Sequence, residues 1–248
     1  MNKMNSVDSN EYIFSIDNLN LNINNEVILS GLNLNLKPAE IHIITGLSGS
    51  GKSQLLRTIA HLNEKKVSFR SNIKTNIVFQ ENNLIPWLSL KQNLEITKQF
   101  SDEEIDNLFL DVNLEKYKNH KPHQVSGGMQ QRVSLIRALS KDCKLLLLDE
   151  PFSKLDLAHK QLNYQLLIKI WMKYKTTIIF VTHDIDEAIY FADRISILSK
   201  TEKKIVHTEN ITLARPRNFI EMKQMPEYRQ TYERISQKIT SDYANEKN

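Results

Sequence analysis

The consecutive residues Gly46, Leu47, Ser48, Gly49, Ser50, Gly51, Lys52 and Ser53 fit the pattern G-x-x-x-x-G-K-[ST]. Glycines let a backbone wrap round a phosphate with successive N–H groups turned inward, and the positive end of a following helix adds to the attraction. In that geometry Lys52 reaches β- and γ-phosphates and the Ser53 hydroxyl ligates Mg²⁺. The flanks supply the setting this chemistry needs. Ile41 to Thr45 reads as a buried strand, and Leu55, Leu56, Ile59 and Leu62 recur at helical spacing, so the loop joins a strand to a helix N-terminus. The chain has only 6 Gly in 248 residues, where average usage of about 7% would give roughly 17. Gly46, Gly49 and Gly51 lie in this loop, and Gly127-Gly128 form a second group. A glycine-poor chain keeps its glycines for two short places.

Other chemistry-bearing residues stand at the ends of predicted strands. The unbroken apolar run Leu145 to Leu148 reads as a parallel strand covered on both faces, and it closes in Asp149 and Glu150. Asp149 suits a Mg²⁺ ion or its water; Glu150 suits positioning and deprotonating an attacking water. Gln80 ends the short strand from Asn76, and His183 follows the buried strand Thr177 to Thr182. Ser126, Gly127 and Gly128 open a helix and make a second anion-binding geometry. One nucleotide needs only one phosphate loop, so the second is free to serve a neighbour's nucleotide.

The elements around these residues set the fold class. Tyr12 to Ile16 and Val27 to Leu36 alternate as half-exposed antiparallel strands, with a turn at Asn24-Asn25. Strands then alternate with helices, which predicts an α/β core with a mainly parallel sheet. The helical period from Leu90 to about Tyr117, with Ser101 as an N-cap, and the helix after Val125 predict a helical insertion over about 86–139. A long helix is expected from about Leu155 to Tyr174, a short one over Ile185 to Ala192, and a charged, mostly helical tail over 208–248. The hydrophobic content of 40% is ordinary for a globular protein, no run approaches about 18 apolar residues, and the single Cys143 excludes an intramolecular disulfide. A net charge of +4 without a basic, aromatic-laced stripe gives no argument for nucleic acid.

In this order the phosphate loop, Gln80, Val125 to Arg132, Leu145 to Glu150, Ser153 to Asp156 and Thr182-His183 resemble the nucleotide-binding subunit of ATP-binding cassette (ABC) transporters. The resemblance implies a P-loop NTPase (RecA-like) core with an N-terminal antiparallel β region and an inserted α-helical subdomain, residues 1–207 forming the ATPase domain. It implies ATP and Mg²⁺ as ligands, and a head-to-tail dimer in which each ATP lies between one subunit's Lys52 loop and the other's Ser126-Gly127-Gly128. By that carry-over the nucleotide-binding run extends to Gln54, which stands where threonine is usual. Gln80 contacts Mg²⁺ or water, Asp156 lies at the dimer seam, and His183 contacts the γ-phosphate and helps orient the water. Where the family places an aromatic on adenine, the register gives Ile23, with Tyr12 as the aromatic within reach. The segment from Lys52 to Gln80 is short for the family, which implies a trimmed β region.

Val78 to Ser89, with Pro86-Trp87, and Ala214 to Arg217 resemble more narrowly the importer branch serving nitrate, sulfonates, taurine and similar small anions. That implies a separate permease docking near Gln80–Leu90, an external solute-binding protein, and a place on the cytoplasmic face of the membrane. A cassette working in translation or repair usually carries two cassettes or a long coiled-coil insertion, and neither is visible in this chain. A nucleotide-dependent regulatory module remains the other reading, to be separated by steady turnover that depends on Glu150.

Overall fold

The computed structural model describes residues 11–62, 73–97, 100–139 and 143–246. Its centre is a six-stranded sheet built on the apolar runs. Strands β3 (Ile41–Thr45), β5 (Leu145–Asp149) and β6 (Thr177–Val181) are buried at every position, as parallel strands with both faces covered must be. The strand order places β4 (Thr75–Val78), β5, β6, β3, β7 (Arg194–Leu198) and β8 (Ile205–Asn210) side by side. All neighbours are parallel except the antiparallel β7–β8 pair.

Alternation along each strand sorts the apolar side chains into two cores. Leu146, Leu148, Ile178 and Phe180 enter one with Val133, Ile136, Tyr164 and Phe191. Leu145, Leu147, Ile179 and Val181 enter the other with Leu55, Leu56 and Ile59. This second core also takes Leu21, Leu29, Leu32 and Leu36 from β1 (Phe14–Ile23) and β2 (Glu26–Leu36), the antiparallel pair predicted at the N-terminus. Full burial of each such side chain is worth about 1.5–3 kcal/mol, so these strands fix the frame on which loops are carried.

Between β4 and β5 the chain makes the expected helical insertion. Its period, read as one stretch from Leu90, is divided into α2 (Leu90–Glu95), α3 (Asp102–Asp111) and a short 3₁₀ turn at Glu115–Tyr117. Ser101 caps α3, and Glu104 answers it with a bond to the Ser101 N–H; Ser89 and Gln92 make the same reciprocal pair on α2. Helix α4 (Gly127–Ala138) closes the insertion. The predicted helices after β5 and β6 are α5 (Leu157–Tyr174) and α6 (Ile185–Phe191). The strand reading at Asn76–Gln80 stops earlier, at Val78, leaving Gln80 in the following turn. The trimmed region between Lys52 and Gln80 falls largely on residues 63–72, outside the described residues.

Past the core, β8 continues through Asn210 before helices α7 (Phe219–Met222) and α8 (Pro226–Glu246). The Ala214 to Arg217 segment is a latch. Arg217 donates to the carbonyls of Ile189 and Tyr190 at 2.8 and 2.9 Å, to Ala192 at 2.8 Å, and to Leu213. The Ile189, Tyr190 and Ala192 groups are orphan carbonyls at the C-terminus of α6, where a cation is also favoured by the helix dipole. Arg215 binds Asp193 and the Phe191 carbonyl beside them. Replacing Arg217 by Ala strands several of these carbonyls, so the variant is expected to lose about 2–4 kcal/mol in urea unfolding. Arg217→Lys should recover little of it, because a point charge cannot span the fork. A loss below about 0.5 kcal/mol would remove the cap reading.

Candidate nucleotide site

The loop from Gly46 to Gly51 leaves β3 and enters α1 (Lys52–Ile59). Gly46, Gly49 and Gly51 have φ of 143°, 80° and 97°, which side chains rarely adopt. Close approach adds a second constraint: a Cβ on Gly46 would lie 2.3 Å from the Leu198 carbonyl oxygen, and one on Gly51 3.0 Å from Ile28 Cγ2. Helix α1 has no side-chain N-cap, so its first N–H groups remain directed at whatever the loop holds. Within the loop Ser50 is buried, Ser48 exposed and Leu47 half-buried. Lys52 is buried and donates to the carbonyls of Gly46 at 2.9 Å and Leu47 at 2.7 Å. Burial pulls its pKa below the usual lysine value, against the attraction of Glu150 and Asp149. The half-buried Gln54 is the third residue of the helix, its carbonyl accepting from Thr58 Oγ1 at 2.7 Å.

The acids close β5 directly opposite. Ser53 Oγ donates to Asp149 Oδ1 at 2.8 Å. Burial raises the pKa of Asp149, the Ser53 bond opposes that, and the Glu150 charge adds to it. Glu150 follows with φ of 45°, a left-handed conformation that is costly for a non-glycine residue and clusters at functional sites. Its N–H donates to the Val181 carbonyl at 3.0 Å, tying the end of β5 to β6, and its Oε1 lies 3.1 Å from His183 Nδ1. Gln80 reaches the acids at one remove. Its Nε2 donates to Ser153 Oγ at 3.1 Å, and Ser153 Oγ donates to the Glu150 carbonyl at 2.9 Å.

Inward N–H groups and a buried ammonium fit a polyphosphate. A hydroxyl beside a carboxylate fits a hard cation that takes its other oxygens from phosphate and water. Among the described residues no cluster of three or more His, Cys, Asp or Glu side chains offers an all-protein metal site.

Ser126, Gly127 and Gly128 stand apart from this assembly. Ser126 is exposed and caps α4 by accepting from Met129 N at 3.3 Å. Nothing lies within 4 Å of a Cβ built on Gly127, whereas Gly128 backs onto His159 and Asn163 of α5. Among the described residues no hydrogen bond joins this segment to Gly46–Ser53; its link is to Asn82, which donates to the Gly127 carbonyl at 3.5 Å. Asp156 caps α5, its Oδ1 accepting from His159 N at 3.0 Å and its Oδ2 2.6 Å from His159 Nδ1. Ile23 ends β1 half-buried against the second core, and the half-buried Tyr12 lies just before that strand. One chain therefore brings together Lys52, Ser53, Asp149, Glu150, His183 and, through Ser153, Gln80. It leaves Ser126, Gly127 and Asp156 facing solvent.

A phosphate loop and paired acids at the C-terminal ends of two parallel strands, β3 and β5, with β6 between them, define a P-loop nucleotide hydrolase. The sequence matches the family described as ABC transporter over residues 29–153. The chain belongs to the ATP-binding family of ABC transporters, and is an ABC ATPase. It is 39% identical to the aliphatic sulfonates import ATP-binding protein SsuB of Bacillus subtilis, over 73% of this chain and 76% of that one. Against cbiO1 of Clostridium perfringens, part of the ABC transporter complex cbiONQ, the TM-score is 0.72 at 26% identity, covering 81% of this chain and 89% of the other. Against the ATP-binding cassette MJ0796, a dimer in a post-hydrolysis state bound to ADP and Pi, it is 0.67 at 31% identity, covering 81% and 100%.

Behind His183 lies a residue that the sequence did not single out. Glu187 is 3% exposed, and Thr182 Oγ1 donates to it from the end of β6. Its own N–H is held by Asp184 at 3.2 Å, and Asp184 also meets Lys160 at 3.5 Å. In the sequence Glu187 reads as an ordinary acid in the first turn of a capped helix, so only its burial distinguishes it. Burial pushes its pKa up to about 7, with hydrogen bonds from Thr182 and Tyr164 opposing the shift and the Asp184 charge adding to it. The fold thus favours the protonated carboxyl. Relative to Glu187→Gln, the protein should lose stability as pH rises from about 4.5 to about 7, by roughly 3 kcal/mol in all. Urea midpoints of both forms at pH 5 and pH 8 test this, and a difference independent of pH would refute it.

Proposed function

We propose that this chain is the ATP-binding and ATP-hydrolysing subunit of an importer, powering a separate membrane permease for a small anionic solute of the sulfonate kind. The carrying observation is the division of the site. Lys52, Ser53, Asp149, Glu150 and His183 are assembled on the strand ends, while Ser126-Gly127 is open and unattached to them. Such halves complete each other when two copies meet head to tail. The related MJ0796 cassette is a dimer. The solute class rests on the SsuB relatives, whose name is aliphatic sulfonates import.

In this reading the amides of Gly46 to Gly51 and the Lys52 ammonium hold the β- and γ-phosphates, and the Lys52 bonds to the Gly46 and Leu47 carbonyls pass to phosphate oxygen. The Ser53 hydroxyl and the Asp149 carboxylate would hold Mg²⁺, with Gln80 reaching it or its water from the Ser153 side, and the ion would supply neutralisation of phosphate charge. Glu150 orients water and takes its proton, and His183, fixed against Glu150, contacts the γ-phosphate. Gln54 ends the binding run behind Ser53. The partner subunit's Ser126, Gly127 and Gly128 close over the γ-phosphate, and Asp156 lines the seam.

The permease docks along the Gln80–Leu90 turn. Trp87 there is 72% exposed, and the start of this segment, Glu81 and Asn82, lines a groove of about 470 Å³ with Phe79, Ile96 and Arg137. An external solute-binding protein would deliver the solute, and the chain would work at the cytoplasmic face of the membrane. No helix among the described residues is long and apolar enough to cross a membrane. Residues 1–207 form the ATPase unit, with the helical subdomain at about 86–139, and 208–248 form the tail.

Glu150→Gln should bind ATP and hold a stable dimer while kcat falls roughly 10²- to 10⁴-fold. Undiminished turnover would overturn the role of Glu150. Lys52→Ala removes a charged donor and should weaken ATP binding at least about tenfold in equilibrium titration; unchanged affinity would overturn the loop assignment. Purifying Glu150→Gln with ATP from detergent-solubilised membranes should recover a multi-span permease. Recovery only from the soluble fraction would overturn the transport reading and leave the ATP site intact.

A further inference from the structure

The phosphate loop is held from behind on two sides. On one side Gly51 rests on Ile28 and Leu29 of β2. On the other, Gly46 meets the Leu198 carbonyl, and a Cβ on Gly49 would lie 3.5 Å from Lys200 Cε and 3.8 Å from its Nζ. Leu198 to Lys204 form the turn between β7 and β8, and this turn is also tied to β2, with Ser30 N donating to the Lys203 carbonyl at 2.8 Å. What fixes the turn itself comes from the far end of the chain. Asp242, 6% exposed on the last turns of α8, accepts from Ser199 Oγ at 2.5 Å, Thr201 Oγ1 at 2.7 Å and Lys200 N at 2.8 Å. Glu246, one turn on, pairs with the Lys200 ammonium. A buried carboxylate with both oxygens turned to one short hairpin is costly to place unless it is well hydrogen-bonded there.

We propose that Asp242 is a positioning residue for the nucleotide: it locks the Ser199–Thr201 turn, and through Leu198 and Lys200 that turn sets the curvature of the phosphate loop. The C-terminal helix is thereby part of the ATP site without touching ATP, and a partner that pulls on α8 alters nucleotide affinity. This rests on the reading of Gly46 to Ser53 as the ATP loop.

The test uses the full chain with ATP and Mg²⁺. Asp242→Asn keeps the shape but turns an amide N–H₂ toward either the Lys200 N–H or the two hydroxyls, so at least one donor loses its acceptor. The expected result is an ATP Kd and KM raised about fivefold to tenfold, the loss of about one charge-assisted bond, with kcat changed less than about twofold. Backbone amides of 46–51 should exchange hydrogen faster while those of β5 and β6 keep their protection. Asp242→Glu, which keeps the carboxylate, should restore most of the affinity. Should the Asn form not fold, Thr201→Val removes a single donor and should give a smaller shift in the same direction. Unchanged Kd and unchanged exchange at 46–51 overturn the proposal, as does faster exchange of the whole sheet in step with the loop. Lys52→Ala in the same titration separates the failures: if it loses ATP and Asp242→Asn does not, only the tail's role falls. If Lys52→Ala binds ATP normally, the loop reading falls with it.

Discussion

An ammonium and two carboxylates have been brought close together at the ends of β3 and β5, two of them buried, and the rest of the fold is the means of holding them there. Burying ionised groups is expensive unless each is paired and hydrogen-bonded. Lys52 meets this by donating to the Gly46 and Leu47 carbonyls and by lying in the field of Asp149 and Glu150. Asp149 meets it through Ser53. Neither solution survives a shift of a strand by one residue, because alternation would exchange the buried and functional faces. The fully apolar strands β3, β5 and β6 therefore do more than fill the core. Their two-sided burial pins the register that puts Ser53 opposite Asp149.

The same strands explain where the strain is kept. Glu150 leaves β5 in a left-handed conformation while its N–H holds β6. A residue so placed is aimed away from the strand direction, toward His183. The local cost of roughly 1–2 kcal/mol is small against the burial of Leu145 to Leu148 immediately before it. A rigid apolar strand is what makes the strained turn at Glu150 affordable.

The legible part of this molecule was the part governed by short-range rules. Unbroken apolar runs located the central strands, glycine placement located the phosphate loop, and Ser101 as an N-cap located the start of α3. The helical period from Leu90 onward hid a break, because α2 and α3 share apolar spacing across their junction. The bounds of β8 were not legible, since Ile205 to Asn210 alternates burial only weakly and carries His207, Thr208 and Glu209; its pairing with β7 is a tertiary choice. Glu187 and Asp242 were invisible for a related reason. Each is a polar residue on an otherwise ordinary helix, made special by partners that are distant in sequence or masked by a capping pattern. Ala214 to Arg217 was legible as a resemblance, but its physical work, capping α6 through Arg217, required the fold.

That capping gives the molecule a continuity between its two ends. Helix α6 begins just after His183, is closed by Arg217, and carries Asp186, which binds both Lys223 and Tyr228 of the tail. Helix α8 then runs back along the sheet, where Arg234 meets Glu209 on β8, to place Asp242 on the turn behind Gly46 and Gly49. The tail thus touches the helix that follows His183 and the hairpin that backs the phosphate loop. Buried carboxylates and a forked arginine serve these contacts better than apolar side chains would. Their directional bonds fix angles as well as distances, and angles at the phosphate loop decide whether its N–H groups converge on one point. A glycine loop has no side chains with which to hold its own shape, so that shape must be imposed from outside, by β2 on one flank and by the tail-bound hairpin on the other.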